Sequence, residues 1–233
     1  NALQAKQAGD PETDARMGQY ELAYRMQISV PQVMDISKEP PAVHAAYGTE
    51  PGKTSLANNC LLARRLVENG VRFVQIFDWG WDHHGTSKRD DIQHALRPHI
   101  RSTDQAVTAL LKDLKQRCLL DQTLVVWGGE FGRTPMRENR GGAEGAFFGR
   151  DHHPYAYTMW MAGGGIKKGL NFGETDDIGY YVAKDKMTPR DLQATILHQL
   201  GLNPHTLHYP YLGLNQRLIG PSDEARVMKE LLA

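Results

Sequence analysis

The residues best suited to chemistry in this 233-residue chain are carboxylates, imidazoles and one arginine, gathered in three short stretches. The first is Asp78-Trp79-Gly80-Trp81-Asp82-His83-His84-Gly85. The second is Gly128-Gly129-Glu130-Phe131-Gly132-Arg133-Thr134-Pro135, and the third Gly149-Arg150-Asp151-His152-His153-Pro154. Asp, Glu and His together bind divalent cations of intermediate hardness, zinc or manganese first, calcium or magnesium second. Asp82 and His84 lie two apart, so an extended backbone turns both side chains to one side. His152, with Asp151 beside it, can complete the coordination sphere from another loop. Arg133 suits planar, two-pronged contact with a phosphate or sulfate oxygen. Gly128, Gly129 and Gly132 let the backbone approach a ligand closely.

Each of these residues also has a plainer reading. A single histidine is more often structural or solvated than a ligand, and His94, His99, His198, His205 and His208 are read so. The two His-His pairs differ because each follows an Asp and is flanked by Trp or Pro. Asp78 equally caps the loop after its strand. Asp90-Asp91 opens a helix, where negative charge suits the dipole. Arg133 equally pairs with Glu130 alone. Gly163-Gly164-Gly165 with Lys167 and Lys168 lacks Walker spacing and reads as a turn. There is no Gly-x-Ser-x-Gly elbow. Ser87 and Thr134 are the hydroxyls nearest the polar stretches, and neither sits where a nucleophile would be expected.

The elements that must position these residues alternate between helix and strand. Residues 1 to about 52 are polar and expected to be helical, with Met17, Tyr20 and Tyr24 recurring at helical spacing. Pro40-Pro41 and the turn-rich stretch through Gly52 set a boundary there, with the main domain at 53–233. A helix is expected over Leu56–Glu68, with Leu62 and Leu66 on one stripe, and a strand over Val71–Phe77. A long helix follows from Asp90 to Arg117, interrupted or kinked at Pro98, with Val107, Leu110, Leu111, Leu114 and Cys118 on its buried face. Strands are expected at Thr123–Trp127 and Tyr155–Ala162. A last helix runs from a Thr188 cap and Pro189 to a stop at Gly201. The order predicts an α/β fold with a mostly parallel sheet covered by helices, and in such sheets ligands bind beyond the carboxyl ends of the strands.

Composition narrows the partners. The 27 basic residues balance 27 acidic ones, leaving no global field for nucleic acid or an anionic membrane. No apolar run reaches the roughly 18 residues needed to span a bilayer. Cys60 and Cys118 lie in helical patterns and outside any C-x-x-C motif, and read as buried thiols. Without an initiator Met, the opening Asn1-Ala2 reads as a processing remnant of a longer protein.

Taken together, several strings resemble one bacterial family of unknown function, whose members are commonly described as sulfatase-like and placed in the alkaline phosphatase-like superfamily. They are Leu62-Ala63-Arg64-Arg65-Leu66-Val67-Glu68, Trp81 to Gly85, Gly129 to Pro135, Gly149 to Pro154, and Ala194-Thr195-Ile196-Leu197-His198. The resemblance runs from about Thr54 to the C-terminus. It implies an αβα sandwich in which metal ligands follow the strands, and one or two ions activate a hydroxyl nucleophile and stabilise a transferring phosphoryl or sulfuryl group.

By motif, Asp82 and His84 resemble one ligand cluster. Glu130 stands at the strand-end place of an Asp that is often followed directly by His; Phe131 in that next position argues against a full second metal site. His152 resembles the late histidine ligand in preference to His153, with Asp151, His153 and Asp78 as supporting residues. The superfamily's first metal-binding Asp and its nucleophile have no counterpart here, and family members often carry a twin-arginine export signal. The resemblance therefore implies the C-terminal half of a periplasmic or secreted protein, with a missing N-terminal half as partner. The expected function is a fragment of a metal-dependent hydrolase of small sulfate or phosphate esters, inactive alone. The alternative is a non-catalytic binding protein that keeps the hydrolase fold with a degenerate metal site, which Glu130-Phe131 favours.

Overall fold

Pro11–Met34 forms one helix, α1, although Pro31 lies inside it. The computed structural model of the protein describes residues 11–139, 145–222 and 224–233, so Asn1-Ala2 lies outside the described residues. The Met17, Tyr20, Tyr24 spacing does not mark a buried face, since Tyr20 is 77% and Tyr24 65% exposed. Helix α2 (Pro41–Tyr47) begins at Pro41, whose missing N–H costs nothing in a first turn. Helix α3 (Leu56–Glu68) is capped by Ser55, whose side chain accepts from Asn58 N at 3.1 Å.

The described residues fall into two compact units. The first runs through Phe77 and includes Ser102–Leu110. Its buried residues include Tyr47, Cys60, Leu61 and Ala106. The inward face of α3 centres on Leu61 and Arg64, while Leu62 and Leu66 are only half-buried. Arg64 turns inward because carboxylates receive it: Glu39 lies 2.8 Å away and Glu68 2.7 Å. A buried guanidinium needs such partners. Arg65 also pairs with Glu39, and its Nε donates to Val33 O at 2.7 Å, tying α3 to the end of α1. Val71–Phe77, expected as a strand, has no ladder partner among the described residues, and Phe73 and Phe77 are exposed.

The long helix expected from Asp90 divides near Pro98. A wide turn covers Ile92–Leu96, and helix α4 then runs Arg97–Gln116 with Pro98 in its first turn. Pro98 has no N–H to donate back into the preceding turn. Thr103, Ala106, Leu110 and Leu114 are buried at helical spacing, whereas Cys118 is exposed with φ of 57°.

The second unit comprises Asp78–Arg101 and Leu111–Ala233. Among the described residues its strands form four antiparallel pairs. β1 (Val125–Trp127) pairs with β4 (Trp160–Ala162), Trp127 opposite Trp160, so two of the strands read from the sequence pair with each other in antiparallel sense. β2 (Gly132–Arg133) pairs with β3 (His152–His153), β5 (Glu174–Thr175) with β6 (Val182–Lys184), and β7 (Tyr209–Tyr211) with β8 (Leu214–Gln216). No helix among the described residues is long and apolar enough to cross a membrane.

Helix α5 (Pro189–Gln199) packs Ala194 and Leu197 against Ile219 and Ala225. Its N-terminus is a capping box. Thr188 accepts from Asp191 N, while Asp191 accepts from Thr188 N at 2.8 Å and from Thr188 Oγ1 at 2.7 Å. Arg226 N also donates to Asp191, at 2.9 Å, which joins the C-terminal segment to the cap. Burial pushes the Asp191 carboxyl up, but the bonds from Arg226 and Thr188 outweigh it and hold it below the usual carboxylate range. A lowered native value means the stabilisation is full above the unfolded carboxylate's range and is lost as pH falls through the native one. Asp191→Ala should therefore cost about 2–4 kcal/mol at neutral pH by leaving buried donors unpaired. Urea midpoints of the two proteins should converge in acid; a difference independent of pH would refute the account.

Candidate metal centre

The segment from Asp78 to His84 has no ladder partner among the described residues, and its backbone turns at Gly80, where φ is 103°. Asp82 and His84 share one side, and His83 turns into the protein, 6% exposed. Three loops meet here through main-chain bonds. Arg150 N donates to His83 O at 3.0 Å, Thr134 N to Asp151 O at 2.9 Å, and Glu138 N to Gly149 O at 3.0 Å. Asp91, read as a helix opener, precedes the wide turn but is fully buried and accepts from Phe148 N at 2.7 Å.

Two glycines permit the closest approach. A Cβ on Gly149 would stand 1.8 Å from the His84 carbonyl carbon, and one on Gly85 would stand 2.5 Å from Gly149 N. No side chain fits between these backbones, so the His84 loop and the His152 loop lie directly on each other.

Asp82 Oδ1 is the focus of the resulting cluster. His84 Nε2 and His152 Nε2 each lie 2.9 Å from it, and Arg133 Nη2 lies 2.8 Å away. The β2–β3 register sets Arg133 directly opposite His152, which brings both to one carboxylate. Phe131 packs on the His152 ring with centroids 4.4 Å apart. The His152 hydrogen bond first, then the Arg133 bond and the nearby charges, hold Asp82 well below the usual carboxylate range against the opposing effect of burial. The Asp82 side chain is 62% exposed, so the cluster is open to solvent.

One ligand atom from each of Asp82, His84 and His152 can be chosen so that all lie within 4.8 Å of one another, the span that a shared cation requires. A second set with this property joins His84, Glu138 and Asp151. The candidates named from sequence are thus placed differently. Asp82, His84, His152 and Arg133 meet. Asp151 lies at the edge, its Oδ1 accepting from His152 N at 2.8 Å. Glu130 is exposed after β1 and belongs to neither set. His153 is buried and donates Nε2–H to Tyr180 O at 2.6 Å, among the rings of Tyr155, Tyr180 and Tyr181. Asp78 accepts from Trp81 Nε1 at 2.9 Å and lies 3.0 Å from His99 Nε2, apart from both sets.

Glu138 escaped the sequence reading. Its Oε2 lies 2.6 Å from His84 Nδ1, on the far side of the ring from Asp82. Nothing in Met136-Arg137-Glu138-Asn139 marks it; the bond of its N–H to Gly149 O helps to bring it there.

A family model described as "Protein of unknown function (DUF1501)" matches residues 1–232. No curated protein and no solved structure matches the chain. The match corrects the expectation of the C-terminal half of a sulfatase-like family in the alkaline phosphatase-like superfamily, because it spans the helical opening as well as the motif-bearing remainder. Short strings rich in Asp, His and Gly carried that expectation, and such strings recur on unrelated folds.

The glycine contact is testable. Gly149→Ala should lower stability by about 1–3 kcal/mol through overpacking. Gly145→Ala, where no described residue comes closer than 4.0 Å to the Cβ, should stay within about 0.5 kcal/mol of the parent. Equal urea midpoints for the two variants would show that the approach is not tight.

Proposed function

We propose that this chain, which belongs to the DUF1501 family of proteins of unknown function, binds a divalent metal through Asp82, His84 and His152 and acts as a metal-dependent hydrolase of phosphate or sulfate esters. The observation that carries the reading is Asp82 Oδ1 standing 2.9 Å from Nε2 of both histidines. One carboxylate and two imidazoles are a zinc- or manganese-type donor set. The histidines come from two loops held rigidly together by backbone, as a precise site needs. When bound, such an ion would act as a Lewis acid toward a phosphoryl or sulfuryl oxygen.

The protein's own residues supply the rest. Arg133 Nη1 is buried and has no hydrogen-bond partner among the described residues, while Nη2 contacts Asp82. An unpaired guanidinium N–H beside the ligands suits an anionic ester oxygen. The exposure of Asp82 lets a small anionic substrate reach it from solvent.

One observation favours a second reading, a binding protein without turnover. Arg133 lies 2.8 Å from Asp82 and supplies permanent positive charge where an ion would sit. The two readings separate by titration calorimetry with zinc and manganese and by assays on aryl phosphates and aryl sulfates. Asp82→Asn, His84→Ala and His152→Ala should each weaken metal binding beyond the about 10–100-fold typical of losing an outer partner. Arg133→Ala should raise KM for the ester while leaving metal affinity unchanged or improved, because a competing cation is gone. Absence of metal binding in the parent protein would defeat the hydrolase reading. Metal binding without turnover would favour the second.

A further inference from the structure

We propose that Glu138 is the positioning carboxylate of this centre, holding the Nδ1 proton of His84 so that Nε2 is the bare nitrogen facing Asp82 and His152. The inference rests on the reading of Asp82, His84 and His152 as ligands. Glu138 Oε2 and His84 Nδ1 are 2.6 Å apart, and their side chains are only 10% and 12% exposed. A carboxylate buried to that degree requires a donor. An ionised carboxylate only accepts, and a neutral imidazole carries one donor and one acceptor nitrogen. With Nδ1–H given to Glu138, the lone pair is left on Nε2, which lies 2.9 Å from Asp82 Oδ1.

Glu138 is itself anchored by main chain, since its N–H donates to Gly149 O at 3.0 Å. Gly149 is the residue pressed against the His84 carbonyl. The donor and acceptor of the Nδ1 bond are therefore set by one backbone junction. Carboxylate–histidine pairs of this kind fix the tautomer and ring orientation of a metal ligand and raise its basicity.

A second ion on His84, Glu138 and Asp151 is the competing use of the same atoms. It would require the His84 ring to give up both protons and bridge two cations. It would also draw on Asp151, an exposed residue whose carboxylate already accepts from His152 N at 2.8 Å. A single ion with Glu138 as hydrogen-bond acceptor needs neither.

The test uses the full chain, labelled with nitrogen-15 at histidine and titrated with zinc alone. In the zinc-loaded parent, long-range proton–nitrogen correlation should show His84 with Nδ1 protonated and Nε2 metal-bound. Glu138→Gln keeps an acceptor oxygen but loses the charge, so zinc affinity should fall about 10-fold with the tautomer retained. Glu138→Leu removes both, and affinity should fall toward 100-fold with mixed tautomers. A His84 protonated at Nε2, or bound to zinc through Nδ1, overturns the proposal from the parent protein alone, whatever the variants' stability. Two zinc ions per chain, with one lost in Glu138→Leu, overturns it in favour of the bridged site. Zinc bound through His84 and His152 with unchanged affinity in both variants overturns Glu138 while sparing the metal centre. No zinc binding by the parent removes both.

Discussion

The candidate centre depends on a place where two backbones touch with no side chain between them. Gly85 and Gly149 lie so close that a methyl group on either would collide with the other loop's main chain. Around that contact, main-chain bonds from Arg150 to His83, Thr134 to Asp151 and Glu138 to Gly149 join three loops that are far apart in sequence. Backbone contacts of this kind are stiffer than side-chain packing, because they leave no rotamer freedom. The loops that carry His84 and His152 are therefore placed by backbone contacts, and Glu138 and Phe131 then meet the two rings. The buried Asp91 carboxylate, accepting from Phe148 N, braces the same junction from a fourth segment.

Within this frame the charges are arranged around a single oxygen. Asp82 Oδ1 faces two imidazole nitrogens and a guanidinium, and its carboxyl is held well below the ordinary range as a result. Arg133 presents two nitrogens in this arrangement. One balances Asp82, and the other is buried with no hydrogen-bond partner among the described residues. The β2–β3 pairing is only two residues long on each side, yet its register puts Arg133 across from His152 and so decides which cation reaches the carboxylate.

Local spacing was enough to place some of these groups. Asp82 and His84 are two apart, the spacing that puts side chains on one side of a locally extended chain, and they meet at 2.9 Å with His83 buried between them. His152 and His153 could not be separated by pattern alone, because neighbours in a strand point to opposite faces and either face can be the inner one. The structure turns His153 into a cluster of tyrosines and His152 toward Asp82. Glu130 follows an apolar strand as a ligand would, but it points to solvent. Glu138 carries no local signal, and its N–H bonds a residue eleven further along the chain.

What the sequence by itself determined is local. It set helices where caps and prolines mark their ends, as at Ser55 and Thr188, the break before α4 at Pro98, and the sides on which Asp82 and His84 project. These features depend on a few adjacent dihedral angles and hydrogen bonds. The tertiary structure alone decided that β1 pairs with β4 in antiparallel sense, that Arg64 is buried between Glu39 and Glu68, and that Glu138 stands behind His84. Apart from Arg64–Glu68, which are four apart on one helix, each of these joins residues whose separation along the chain carries no periodic mark. The free energy that selects them comes from satisfying buried polar groups in three dimensions, which no local pattern records.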